Sequence, residues 1–363
     1  LFFVIYLLHF INSAFSQAPN ISYSPSTNVY NVGAAITTLT PSNSGGAVPA
    51  TTYGTVSTLA AATTNLDNPR GLTSDGAGNL YEADFTGNVI YKITSSGAVT
   101  VFAGSGTAAE LNGNGTAARF NGPTGIVYDG AGNLYVADNA GNTIRKISLT
   151  SPYAVTTIAG SGAAAELNGN GTAAKFNKPY GIDYDGSTYL YVTDNAGYTV
   201  RRVAVASPYA VTTIAGSGTS GETNNTTGTS AKFNGPAGIV YDGSANLYVT
   251  DEGGNTIRKI SLTSPYAVTT FAGSGTSGST NATGTSASFN APYGITMDAT
   301  GNLLIADEGN NLIRTITSGA VVTTLAGSGT KADANGVTTA AEFYSPYAVT
   351  TDNSGNAFTG DNN

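Results

Sequence analysis

The sequence predicts an all-β fold assembled from a repeated four-stranded unit, and three observations carry that prediction. The stretch "GNLYVADNAGNTIRKI" (132–147) returns as "NLYVTDEGGNTIRKI" (246–260) and as "GNLLIADEGNNLIRTI" (301–316). Six prolines, Pro69, Pro123, Pro179, Pro236, Pro292 and Pro346, fall 54, 56, 57, 56 and 54 residues apart, and a near-fixed period of this size marks a repeat architecture. The composition, with 47 Gly among 363 residues and only 10% charged, is that of many short strands joined by turns.

Taken in chain order, "LFFVIYLLHFINSAFSQ" reads as a secretory signal, residues 1–16, with cleavage near Ser16–Gln17 and an incomplete N-terminal end. It is too short for a membrane span. Residues 17–52 are rich in Thr, Ser and Asn and out of register with the repeat, as a linker or a partial immunoglobulin-like segment would be. Residues 53–363 form the repeat domain. Its opening run, "YGTVSTLA" (53–60), has the pattern of an isolated fourth strand.

The second repeat shows the unit best: "GIVYD" (125–129), "LYVAD" (134–138), "TIRKI" (143–147) and "AVTTIAG" (154–160). The first two joints, "DGAGN" and "NAGN", have hairpin length and turn chemistry. Four antiparallel strands at this spacing make one blade of a β-propeller. Apolar runs with little alternation fit strands covered on both faces. Residues 348–361 supply only two strands of a sixth blade, so the expectation is a six-bladed ring with a truncated last blade, closed by the N-terminal strand without an open edge.

At "FNGPTGIVYDGAGNLYVADNAGNTIRKI" the chain resembles NHL repeats, whose pattern runs Pro-x-Gly-Ile, then Asp-x-x-Gly-Asn-x-Tyr-Val-x-Asp, then Asn-x-x-Ile. Similar copies cover about residues 65–363. Many members place Arg just before the third-strand Ile, whereas here the basic residues Arg145, Arg201, Arg258 and Arg314 follow it. The resemblance implies a six-bladed propeller used mostly for binding, with a minority of enzymes in related propellers, and no particular ligand.

Composition excludes several functions. A net charge of −8 disfavours nucleic acid. The absence of cysteine rules out disulfides, thiol nucleophiles and Cys-ligated zinc, and fits a bacterial surface protein. The only histidine, His9, leaves with the signal, so neither a Ser-His-Asp triad nor a zinc-His site fits the mature chain.

Two recurrent Asp positions, 75/129/185/242/298/352 and 84/138/194/251/307/361, hold 12 of the 22 acids and read as turn-ordering groups. On that reading Asp138→Ala costs about 0.5–1.5 kcal/mol, one turn hydrogen bond. Third-strand basic residues read as bridges to neighbouring acids, with alkyl stems laid over apolar surface. Phe120, Phe176, Phe233, Phe289 and Phe343 read as plugs between blades. The long joints such as "GSGTAAELNGNGTAARFNGP" form a rim on the face of the "DNAGN" turns, where propellers vary their binding. Asn114 and Asn170 stand where a strong calcium loop wants carboxylates.

Departures from the repeat supply the binding candidates. Glu82 replaces a β-branched residue on a second strand, and Asp183 does so on a first, channel-lining strand. A carboxylate there costs several kcal/mol unless paired or solvated. Glu252 and Glu308 complete the candidate set. The expectation is a secreted or cell-surface binding propeller, a monomeric ring that takes a protein or glycan on its long-loop rim. No catalytic or metal residue is assigned and no cofactor is expected, calcium being the one ion considered. The alternatives are a metal-dependent hydrolase or lactonase using channel carboxylates, and a structural spacer of a larger surface protein.

Overall fold

The computed structural model describes residues 4–8, 21–22, 42–43, 55–61, 66, 68–352 and 354–362. Five repeats each fold as one antiparallel sheet of four main strands from contiguous sequence, to which Gly113–Asn114 and Gly169–Asn170 add a short outer strand in the second and third. The second is built from Pro123–Tyr128, Asn133–Asp138, Thr143–Ser148 and Ala154–Ala159, in that spatial order. The first, third, fourth and fifth begin at Pro69, Pro179, Pro236 and Pro292. The result is an all-β propeller with five blades of contiguous sequence.

A further sheet is composite. Pro346–Thr351 pairs with Ala357–Asp361, which pairs with Val4–Leu8, which pairs in turn with Thr55–Ala61. Thr55–Ala61 therefore joins the sheet of the last repeat, as the fourth-strand pattern of the 53–60 run implies, residues 53 and 54 lying outside the described residues. In this sheet Val4–Leu8 takes the third-strand place, which the sequence alone leaves empty. A short apolar run with β-branched residues satisfies both a signal core and a covered strand, so periodicity alone could not separate them. Of the expected linker or immunoglobulin-like segment, Ile21–Ser22 pairs with Ser42–Asn43, and the rest lies outside the described residues, as does the expected cleavage position.

The first strands pack side by side around a central channel, and the Pro-x-Gly motif makes that approach possible. A Cβ added at Gly71, Gly125, Gly181, Gly238 or Gly294 would strike a carbonyl on the next first strand, so these backbones touch where any side chain would block them. Between the sheets lie apolar clusters such as Tyr191, Ile214, Phe233, Leu247 and Val249. The five phenylalanines are fully buried there, as the plug reading requires.

The two sets of recurrent Asp differ in kind. Asp129 Oδ1 accepts the N–H of Ala131 (2.8 Å) and of Asn133 (2.9 Å), and Oδ2 accepts Asn133 Nδ2 (2.6 Å), which orders the first hairpin. For Asp242, burial is outweighed by the equivalent bonds, which hold its carboxyl down at about 2. Asp129→Ala is therefore expected to cost about 0.5–1.5 kcal/mol in a urea melt, the net value of lost turn hydrogen bonds.

Asp138 needs a correction. It is fully buried, its Oδ1 accepts the N–H of Asn121 (2.7 Å), and its Oδ2 lies 3.0 Å from Arg145 Nη1. Arg145 also donates to Arg119 O (2.9 Å), Leu111 O (3.1 Å) and Asn112 Oδ1 (3.0 Å). The third-strand arginine thus pins the preceding long joint to its blade, and Arg201, Arg258 and Arg314 repeat the arrangement. An isolated-turn estimate is too small for Asp138, because removing it leaves a buried guanidinium with only the more distant, partly exposed Glu110 (3.9 Å) as counter-charge. The other third-strand basic residues sit over tyrosines, with Arg202 4.4 Å from the Tyr189 ring and Lys146 5.7 Å from that of Tyr135.

Candidate functional site

The repeat fixes most positions and leaves two variable ones at the channel mouth, on the face of the long joints. The residue after the repeat proline is Arg70, Thr124, Tyr180, Ala237, Tyr293 or Tyr347. The residue after the second-strand Asp is Phe85, Asn139, Asn195, Glu252, Glu308 or Asn362. Because each position is set by the same backbone, the variation between blades is side-chain chemistry held on a rigid frame.

One arc of the mouth is closed by its own hydrogen bonds. Thr124 is buried and donates from Oγ1 to Tyr180 O (2.9 Å), Asn139 Nδ2 donates to Pro179 O (3.0 Å), and Asn195 Nδ2 donates to Pro236 O (3.2 Å). The remaining arc carries aromatic rings and charge. The Arg70 guanidinium lies 3.8 Å from the Tyr347 ring centroid and 5.4 Å from that of Phe85, within the range of a cation–π contact. Its Nε donates to Asn68 Oδ1 (2.7 Å) and its Nη1 to the Tyr180 hydroxyl (3.3 Å). Tyr293 packs 5.7 Å from Tyr180 and 4.7 Å from Tyr347, edge-on to the latter. Arg70, Tyr180, Tyr293 and Tyr347 border a shallow hollow, open to solvent, whose wall is the ring of Gly and Ile residues on the first strands.

Glu252 closes this arc by hydrogen bonding with the Tyr293 hydroxyl. Burial pushes its carboxyl above the ordinary range, opposed by that bond and by Arg70, while the charge of Glu308 adds to the rise. Burial also raises the Tyr180 hydroxyl to about 12, against the pull of Arg70. Glu308 likewise raises Tyr347, after burial and against Arg70. The structure thus gathers Glu252 and Glu308 around Arg70 and the three tyrosines.

It does not bring Glu82 and Asp183 to this place or to each other. Glu82 is fully buried, and neither carboxyl oxygen has a hydrogen-bond partner among the described residues. It shares a strand face with Leu80, so it points into the apolar interface between the first blade and the composite sheet and does not line the channel. Burial first and the charge of Asp84 second push it well above the usual carboxylate range.

Asp183 is partly buried on the first strand, and its Oδ2 accepts the N–H of Tyr241 on the next blade (2.7 Å). Thr73 Oγ1 does the same for Tyr128 N–H (3.3 Å), which identifies Asp183 as an inter-blade tie. Burial, against the bonds from Tyr241 and Tyr184, pushes its carboxyl up to about 6. Because that value exceeds the unfolded one, near 4, its contribution is intact below pH 4 and stability falls as pH rises from about 4 to 6. Asp183→Asn keeps the acceptor and is expected to remove this slope, raising stability at pH 7 by at most ~3 kcal/mol. Urea melts at pH 4 and 7, with and without calcium, check this. A slope that persists in the variant contradicts it.

Sequence reasoning missed Arg70 and the tyrosines. The signal was available in the residue after each proline, which varies more than its neighbours. Among the described residues no group of three His, Cys, Asp or Glu is arranged to hold a metal ion, and no helix is long and apolar enough to cross a membrane.

Fold and site together define a β-propeller with a channel-mouth pocket. Residues 120–147 match the NHL repeat model, and the protein is a β-propeller that carries the NHL repeat. No curated protein matches the chain. Among solved structures it is similar to a Bacteroides thetaiotaomicron protein of unknown function, with TM-score 0.61, 19% identity, and coverage of 83% of this chain and 70% of that one. It is also similar to an auxiliary nutrient binding protein of the same organism, with TM-score 0.60, 14% identity, and coverage of 81% and 67%. A candidate gluconolactonase gives TM-score 0.52 at 12% identity, covering 82% and 89%. At these identities the likeness is one of fold.

Proposed function

We propose that the protein is a binding propeller whose ligand site is the channel mouth around Arg70. One observation supports this above the others: the unclosed arc of the mouth sets a cation and three tyrosines around a solvent-open hollow, with the charges of Glu252 and Glu308 close by. Pockets with aromatic walls and a few convergent polar groups are the usual form of small-ligand sites. The nutrient-binding name of one structural relative agrees with this reading.

In this reading the ring is six-bladed, with the composite sheet as its sixth blade, and the protein is a monomer that meets a protein or glycan at the cell surface. A sixth blade that uses Val4–Leu8 requires a mature chain that retains those residues. N-terminal sequencing of the purified protein is expected to find a start upstream of Val4, and a start at Gln17 contradicts the composite blade. The site is tested by hydrogen exchange on the full chain, alone and saturated with a hydrolysate of cell-surface polysaccharide and protein. Slowed exchange in segments 68–72, 178–182 and 345–349 is expected. Protection confined to the opposite-face turns, such as 129–133, or no protection anywhere, contradicts it.

A further inference from the structure

Resting on that binding reading, we infer that the channel mouth takes an uncharged saccharide, one sugar ring stacking on the exposed tyrosine surface while its hydroxyls bridge Arg70 and Glu252. The charge pattern carries the argument first. Arg70 stands at the centre of the arc, so a cationic ligand meets a fixed positive group. Glu252 and Glu308 flank it, so an anionic ligand meets two carboxylates, and the net charge of −8 repels anionic polymers at longer range. A ligand without charge meets neither cost.

The hydrogen-bonding inventory points the same way. Arg70 donates from Nε to Asn68 and from Nη1 to Tyr180, and its planar guanidinium carries five N–H donors in all. Glu252 accepts from the Tyr293 hydroxyl and keeps further acceptor capacity. A donor fork on the wall of the hollow and a carboxylate acceptor beside Tyr293 match the paired donor and acceptor character of neighbouring sugar hydroxyls.

The aromatic geometry adds the apolar part. Tyr180 and Tyr293 are inclined at 43°, and Tyr293 and Tyr347 at 62°, so the rings wall the hollow from different directions without closing over it. A pyranose carries C–H groups on its faces and hydroxyls at its edge, and such a body satisfies aromatic walls and a polar rim at once.

The experiment titrates the full chain with uncharged hexasaccharides of glucose, mannose, galactose and xylose in α and β linkage. An oligogalacturonate, an oligolysine and a mixed peptide pool serve as charged and non-sugar probes. Binding is followed by tyrosine fluorescence, which the absence of tryptophan makes specific. At least one uncharged oligosaccharide is expected to bind, with a Kd that changes less than twofold between 0.05 and 0.5 M salt. Tyr347→Ala and Arg70→Met are expected to weaken it at least tenfold, and Tyr347→Phe less than threefold, all with melting within a few degrees of the parent. If only a charged probe or a peptide binds, and Tyr347→Ala abolishes it, the saccharide assignment is overturned and the mouth survives as the site. If a saccharide binds the parent and Tyr347→Ala and Arg70→Met equally, it sits elsewhere and both assignments fall. Binding by no probe overturns the saccharide assignment.

Discussion

Glu82→Val is expected to raise the stability of the fold at pH 7 by about 2–5 kcal/mol, the cost of burying a carboxyl without partners. Valine is what the next three blades place at this position, as Val136, Val192 and Val249, all fully buried in the same kind of interface. The pH dependence follows from the direction of the shift. Below about pH 4.5 the carboxyl is protonated in both folded and unfolded chains and costs little. As pH rises, the unfolded chain ionises while the folded chain keeps its proton, so stability falls until the folded value is reached. Parent and variant melting curves should therefore converge near pH 4 and separate toward pH 7. A variant less stable than the parent at pH 7 would mean that Glu82 has a partner that valine cannot replace.

Arg201→Met is expected to cost about 3–5 kcal/mol, because it strands Asp194 in the interior and releases the joint that precedes the blade. The guanidinium is fully buried, 3.1 Å from Asp194 Oδ2 and 3.3 Å from Glu166 Oε2, and it also binds Lys175 O (3.0 Å), Leu167 O (3.1 Å) and Asn168 Oδ1 (2.9 Å). The double variant Arg201→Met/Asp194→Asn should recover about 1–2 kcal/mol relative to the single one. Asparagine still accepts the N–H of Asn177 while removing the unpaired charge. Urea unfolding of the parent, both singles and the double closes the cycle. A single-variant cost below 1 kcal/mol would show that the joint holds without the arginine.

These two residues also show how far the sequence could be read. Periodicity placed the strands, because each repeat rewrites one backbone and a strand covered on both faces admits few residue types. It also flagged Glu82 as a departure. What it could not supply was direction: alternation along the strand turns Glu82 into the sheet interface and away from the channel. The reason that the first blade differs is spatial as well. Tyr91 stands where the next four blades carry the arginine, paired with Glu82.

The mouth was half legible. Glu252 and Glu308 stood out as extra acids after a repeated Asp. Arg70, Tyr180, Tyr293 and Tyr347 did not, because each looks like an ordinary strand residue until the ring brings positions more than a hundred residues apart into one cluster. The composite sheet was hidden for a similar reason. Nothing in the run Val4–Leu8 says that it lies between strands from the two ends of the chain.

A crystal structure of the full chain with the tightest ligand from the saccharide and peptide panel tests the central claim most directly. The account predicts ligand density in the hollow, in van der Waals contact with Tyr293 or Tyr347 and with a polar atom within about 3.2 Å of Arg70 or Glu252. Density on the outer long joints or on the opposite face, with the mouth unchanged, would contradict it.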